Sequence, residues 1–325
     1  MKIILKVDGG IGKSVAATAV CKAIKTQYPD SKLIVITNYP EVFDGNKRVY
    51  EVVRHNELNY FWRNNIKDQP DTKFFFQEPY LDTDFIHRRG HLIKVWCELN
   101  DIKYNGELPE LFLTHKEISS FGINLRQSNK PIMVIQTNGG LPNQTDKYSW
   151  PRDLPYGTAQ QIVNVLAPHY NIFHIRRPDQ LQLQNTIPTS AEFRQLAVLI
   201  ALSHKRLLID SFAQHVAAAL GKPSVVCWIA NVPSQFGYEM HNNIIATPPT
   251  LEPELRGAIL SMYNTNGPEK EFPYNNEDEI FNIESILAAL GHEPAPALAS
   301  GAAPTQRLTN PAPVANKKTG KRKSK

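Results

Sequence analysis

The stretch Leu207–Ile229, LLIDSFAQHVAAALGKPSVVCWI, divides itself into strand, helix and strand. Leu207 to Ile209 is a short apolar run that stops at Asp210, and Ser211 is a residue type that caps helix starts. A helix follows over Gln214 to Leu220; Gly221 is placed to end it and Pro223 prevents its continuation. Ser224 to Ile229 is a second apolar strand. That order specifies a βαβ unit and hence a parallel sheet. A helix beginning where a strand ends offers unpaired backbone N–H groups and the positive end of its dipole, which both attract phosphate. In open parallel sheets ligands gather at the carboxyl ends of the strands, where this turn lies. Asp210, Ser211 and His215 are therefore the first candidate site residues. Without a ligand the same residues read as an ordinary capped turn with His215 facing the core.

Working outward, the same alternation recurs on both sides. Upstream, Pro131 to Gln136 (PIMVIQ) is a strand, followed by the loop TNGGLPNQTDKYSWP over 137–151, a helix over Thr158 to Leu166 and a strand over Asn171 to Ile175. Phe193, Leu196, Ala197 and Ile200 form a helical stripe. At the start of the chain, Lys2 to Val7 is a strand, and Gly9, Gly10 and Gly12 make a turn. Val15, Ala16, Ala19, Val20, Ala23 and Ile24 then recur at helical spacing until Pro29, before the strand Lys32 to Thr37. Between these blocks, residues 74–76 (FFF) read as a strand and Ile86 to Leu99 as a helix, with a linker near Ser128–Pro131. The fold class expected is α/β, as two Rossmann-like doubly wound domains over 1–128 and 129–290. A last helix, Ile280 to Leu290, is expected to pack back on the first of them. Residues 291–325 are rich in Ala, Pro and Lys with almost no large apolar side chains, so they are expected to be disordered.

Composition bounds what these elements can do. At 325 residues with 42% hydrophobic and 21% charged residues, the chain is a globular protein of about two ordinary domains. It has no apolar run of the roughly 18 residues a membrane span needs. The opening MKIILKVDGG reads as a strand meeting a glycine turn rather than as a secretory leader. Cys21, Cys97 and Cys227 are widely spaced in apolar contexts, as reduced core cysteines of a cytoplasmic protein would be. The net charge of +5 is unevenly placed: the segment from His292 onward carries +6, leaving the remainder near −1. The body is thus no basic nucleic-acid surface, and any attraction to a polyanion, nucleic acid or an anionic membrane, belongs to the tail.

Residues 210–223, Asp-Ser-x-x-x-His-x-Ala-Ala-Ala-Leu-Gly-x-Pro, resemble the donor-binding signature of the heptosyltransferase-like glycosyltransferases, family 9. In that family the Asp-Ser/Thr turn and the histidine contact a nucleotide sugar. Lys147-Tyr148-Ser149-Trp150-Pro151 resembles the family's Lys-x-Trp-Pro, whose lysine approaches the donor phosphate or sugar. The opening GGIGKSVAATAVCKAIKTQYPDSKLIVIT resembles its glycine turn, helix and second strand. The three matches fall in the family's order over roughly residues 3–245. The resemblance implies the two-domain GT-B architecture, donor binding in the second half and acceptor binding in the first. It also implies inverting, metal-independent transfer from a nucleoside diphosphate sugar, with no further cofactor. Two positions depart from the pattern: Lys13 stands where the family has an aspartate proposed as catalytic base, and Phe212 replaces a glycine.

The glycine turn is a candidate in its own right. Gly10, Gly12 and Lys13 could line a diphosphate, because a cation in a helix's first turn is disfavoured by about 0.3–1 kcal/mol unless an anion lies nearby. A solvated lysine is the plainer reading. With the family aspartate missing, Asp8 at the end of the first strand is the candidate general base. GGIGKS also invites comparison with a P-loop ATPase of the partition type, but the pattern needs glycine where Val7 stands. A protein that binds a sugar nucleotide without turning it over is a further alternative. On the helix expected over 86–99, His87, His91 and Lys94 would share one face. That makes them a candidate acceptor surface; the acceptor itself, a saccharide, a lipid-linked saccharide or a modified nucleic acid, is not specified.

Overall fold

The computed structural model describes residues 1–125, 130–139, 149–248, 272 and 274–292. Lys147, residues 126–129 at the expected linker and the tail from 293 lie outside the described residues. The first half contains β1 (Lys2–Val7), α1 (Ile11–Gln27), β2 (Lys32–Thr37), β3 (Glu51–Arg54), α2 (Phe61–Asn65) and β4 (Thr72–Phe75). It continues through α3 (Thr83–Ile86), α4 (Leu92–Glu98) and α5 (His115–Leu125). Its four strands form a parallel sheet in the order β3-β2-β1-β4. β1 and β2 are largely apolar, with Ile3 to Leu5 and Leu33 to Ile36 buried, because both faces of the sheet are covered. Ile3 and Leu5 face α1, while Ile4, Ile34, Ile36 and Val53 face Phe61 and Ile66 around α2.

The second half contains β5 (Ile132–Gln136), α6 (Tyr156–Leu166), β6 (Asn171–Ile175), β7 (Ile187–Thr189), α7 (Phe193–Leu202), β8 (Lys205–Ile209), α8 (Phe212–Ala219), β9 (Val225–Trp228), α9 (Pro233–Phe236), β10 (Asn242–Ile245) and α10 (Ile283–Ala289). Its six strands are parallel in the order β10-β9-β8-β5-β6-β7. The sheet therefore grows one way from β5 through β6 and β7, and the other way from β8. That reversal between β5 and β8 is the doubly wound order.

The two halves meet through α1 and α8. α1 is apolar nearly all round, with Val15, Ala16, Ala17, Ala19 and Val20 fully buried, as a helix packed on two sides must be. Gly12 lets the helix starts approach: a Cβ there would stand 3.2 Å from Phe212 Cα and 3.1 Å from the His215 ring. One core cluster consequently runs from Ile3 and Leu5 through α1 to Val216, Val134 and Trp228.

Two sequence expectations are corrected. The helix expected over Ile86–Leu99 is broken into α3 and α4. Asp82 caps the first through the N–H groups of Asp84 and Phe85, and the His91 ring accepts the Ile93 N–H to cap the second. Arg88 between them adopts a left-handed φ of 57°. The closing helix α10 packs not on the first half but on the second, where Ile286 and Leu290 join Ile162 and Leu166.

Candidate functional site

The carboxyl ends of β5 and β8 lie side by side at the reversal point, where an open parallel sheet leaves a crevice. β8 delivers Asp210 there, half-buried, with one carboxylate oxygen accepting from Asn231 Nδ2 at 2.5 Å. Burial raises the Asp210 pKa, and Asn231 and the charge of Arg152 oppose that rise. Ser211 occupies the N-cap position of α8 with extended backbone, as its residue type predicts, but makes no side-chain cap. Its hydroxyl accepts instead from Gln136 Nε2 at 3.3 Å, linking the ends of β5 and β8. The first turn of α8 thus keeps its N–H groups free of any side-chain cap.

A tight turn lies across these strand ends. Asp153, 2% exposed, accepts from Gly139 N at 2.9 Å, Ser149 N at 2.8 Å and Asn138 Nδ2 at 3.1 Å. Burial pushes its pKa up, and those three bonds pull it down. Leu154 N donates to Thr137 O and Ala230 N to Pro151 O, so the turn is fastened to the connections after both β5 and β9. The fastening places Arg152 directly over Gly139. Sequence reading passed over Asp153 and Arg152; the signal available was Asn-Gly after a strand with an aspartate in the returning turn.

In the first half, Asp8 follows β1 and is flanked by Lys6 and His55. Lys6 Nζ lies 2.8 Å from one carboxylate oxygen and His55 Nε2 3.3 Å from the other. The Asp8 side chain is 46% exposed. Gly9 has φ +94°, which favours glycine, and Gly10 begins α1 with open space at its Cα. Lys13, the candidate diphosphate cation, is paired within its own half. Its ammonium is buried and contacts both Glu78 carboxylate oxygens at 2.6 Å, beneath the rings of Tyr80 and Trp96. Burial lowers its pKa while Glu78 raises it. The anion that the helix start demanded is a side chain of the same half.

His215 is the core-facing residue of the plainer reading. It is buried, its Nδ1 lies 2.8 Å from the Tyr238 hydroxyl, and desolvation drops its pKa to about 3. The expected shared face of His87, His91 and Lys94 does not exist, because the helix is broken at 87–91. His91 is half-buried and tied to Gly237 O at 3.0 Å, joining the halves, while Lys94 pairs with Glu98 on the surface. Asp210, Ser211 and the Arg152–Asp153 turn are thus brought together at the second sheet. Asp8, Gly10 and the Lys13–Glu78 pair lie at the carboxyl end of the first.

No family model matches the sequence, and no curated protein matches it. Solved structures do match. The family 9 glycosyl transferase from Veillonella parvula superposes with a TM-score of 0.62 at 13% identity, covering 89% of this chain and 95% of that one. The E. coli ADP-heptose LPS heptosyltransferase II superposes with a TM-score of 0.59 at 14% identity, covering 76% and 91%. The fold is that of the heptosyltransferase-like family 9 glycosyltransferases. The iron-containing dodecameric glycosyltransferase TibC of E. coli shares this GT-B architecture with a TM-score of 0.53 at 13% identity, over 74% of this chain and 61% of that one. Among the described residues of the present chain, no three or more His, Cys, Asp or Glu cluster as metal ligands would. No helix among them is long and apolar enough to cross a membrane. Lys13, the residue with which a P-loop would have to reach the phosphates, is paired with Glu78.

Proposed function

We propose that this chain is a cytoplasmic glycosyltransferase that moves a sugar from a nucleoside diphosphate sugar to an acceptor hydroxyl. The observation that carries the reading is the strand-order reversal between β5 and β8. There Asp210, Ser211 and the uncapped start of α8 stand at the switch point of a family 9 GT-B fold. Residues 129–290 bind the donor and residues 1–128 the acceptor, with Lys147 on the donor side. In the reaction a base removes the acceptor proton, and the acceptor oxygen attacks the anomeric carbon as its bond to the diphosphate breaks, inverting the configuration. The helix start and nearby cations stabilise the departing charge without a metal. Asp8, exposed at the end of β1, is the base. The acceptor is a saccharide, a lipid-linked saccharide or a modified nucleic acid, and the basic tail attracts a polyanion.

A second reading, a sugar-nucleotide binder without turnover, is favoured by one feature. The turn position at which the family carries its aspartate holds Lys13, closed into an ion pair with Glu78. A thermal-shift screen of nucleotide sugars, ADP-heptose among them, tests binding. A ligand at 100 times its dissociation constant adds about 2.7 kcal/mol of stability. If none shifts the unfolding midpoint, both readings fail. Slow donor hydrolysis without acceptor separates the enzyme from the silent binder.

A further inference from the structure

Arg152 is carried beside the switch point on a turn fastened by Asp153 and by the Leu154 and Pro151 backbone. Gly139 has no side chain where Arg152 lies: a Cβ there would stand 2.6 Å from its Nε and 2.9 Å from its Cζ. The neighbouring Asp153 spends its hydrogen-bonding capacity on Gly139, Ser149 and Asn138, and its carboxylate is 3.9 Å from Arg152 Nε, too far for a hydrogen bond. Arg152 Nε is buried and has no hydrogen-bond partner among the described residues. Other arginines of the chain are satisfied: Arg48 by Glu110, Arg194 by Glu117 and the Phe112 carbonyl, and Arg206 by Ser203 and Pro223. A guanidinium carries five donors in a fixed fork suited to two phosphate oxygens at once. This one stands beside the switch point, 28% exposed, with its Nε donor unspent.

We propose that Arg152 is the diphosphate-binding cation of this site, engaging the bridging region of a nucleoside diphosphate and stabilising it as the leaving group. The proposal rests on the donor-binding reading above and adds to it a residue that the donor motif does not contain. Asp153 is then a positioning residue: it fixes the turn that aims Arg152, and its charge is occupied by backbone donors rather than by the guanidinium.

The test is calorimetry on full-length wild type, Arg152→Gln and Arg152→Lys with ADP, GDP and UDP and with the matching nucleosides. For the nucleoside diphosphate that binds wild type best, Arg152→Gln should weaken binding about 10- to 100-fold, the worth of one or two charge-assisted hydrogen bonds. Arg152→Lys should fall between, and the nucleoside alone should bind all three proteins equally. An equal loss for nucleoside and diphosphate would mean a merely structural role and overturn the proposal, as would an unchanged diphosphate affinity in Arg152→Gln. Wild type binding none of the three diphosphates would overturn the donor-site reading itself. Should Arg152→Gln fail to fold, Arg152→Lys decides alone: it keeps the charge but not the fork, so an undiminished diphosphate affinity refutes bidentate recognition.

Discussion

Lys13 Nζ lies 2.6 Å from both carboxylate oxygens of Glu78, across 65 residues of sequence and beneath two aromatic rings. The first turn of α1 thereby keeps a cation that its own dipole disfavours, because β4 brings a carboxylate to it. Removing one partner leaves a buried charge unpaired. Glu78→Ala is expected to destabilise the protein by about 3 kcal/mol, the low end for a broken buried pair because Glu78 is partly exposed. Lys13→Met with Glu78→Leu should recover most of that loss. Urea unfolding measures both. Donor affinity in Lys13→Met should stay within twofold of wild type; a large, salt-sensitive loss would return Lys13 to the diphosphate.

Asp8 is the most accessible carboxylate at the carboxyl end of β1, with Lys6 and His55 fixing its orientation. Asp8→Asn keeps the size of the side chain and removes its basicity. It should abolish transfer, by roughly 100-fold or more as general-base loss does, while leaving donor affinity intact. His55→Gln should give a smaller loss, since the imidazole orients the carboxylate without replacing it. Full activity in Asp8→Asn takes that residue out of the mechanism.

Asp153 should be intolerant for a different reason. Its carboxylate satisfies two backbone N–H groups and the Asn138 amide inside the protein. Asp153→Ala leaves those donors buried and unpaired, a cost of about 1–3 kcal/mol, and releases the turn that carries Arg152. Reduced stability together with weakened diphosphate binding is the expected pair of results, read by urea unfolding and calorimetry. Loss of stability with unaltered binding would separate the turn from the site.

The histidines give the pH dependence a definite sign. Desolvation lowers the pKa of His215 to about 3 and of His174 to about 4, and lowers those of His91 and His241 as well. A buried neutral histidine binds its proton more readily once unfolded, so its contribution is complete above the unfolded pKa of about 6.5. It is lost progressively as pH falls from there towards 4 and 3. Glu117, held at about 2 first of all by Arg194, adds a further loss that begins as pH falls through its unfolded value of about 4.5 and is complete below about 2. Unfolding midpoints should therefore be level from pH 8 to 7 and fall below pH 6.5. His215→Gln should flatten the upper part of that fall; an unchanged profile would mean another group sets it.

The parts of this fold that were legible in sequence are those where one local rule suffices. β1, β2, β5, β8 and β9 are predominantly apolar runs, and Gly221 and Pro223 mark the end of α8 without tertiary help. Asp210 and Ser211 marked the carboxyl end of β8 and the start of α8, whereas the strand order that makes this end a switch point is set by pairing between distant strands. What could not be read depends on contacts between distant segments or on an unusual cap. His91 closing a helix with its own ring, Glu78 reaching Lys13, and Asp8 between Lys6 and His55 leave no periodic trace. Ser211 shows the limit within a single residue: its type predicted the N-cap position correctly, yet Gln136, contributed by another strand, takes its hydroxyl.

The remaining prediction concerns the segment from Glu293 to Lys325, which lies outside the described residues. It carries +6 while the rest of the chain is near −1. Attraction of such an arm to a polyanion would be independent of sequence and screened by salt, with a range near 10 Å at 0.1 M. Truncation belongs after His292, because Gly291 and His292 still donate backbone hydrogen bonds to Ala288 and Leu287 at the end of α10. The truncated protein should unfold at the same urea concentration and bind nucleoside diphosphate equally well. Its retention on immobilised DNA or on vesicles containing anionic lipid should fall at low salt and match that of the full chain at high salt. Retention on DNA but not on vesicles would favour a nucleic-acid acceptor, and the converse a lipid-linked one. Equal retention of the two proteins at low salt would remove the tail from acceptor recruitment.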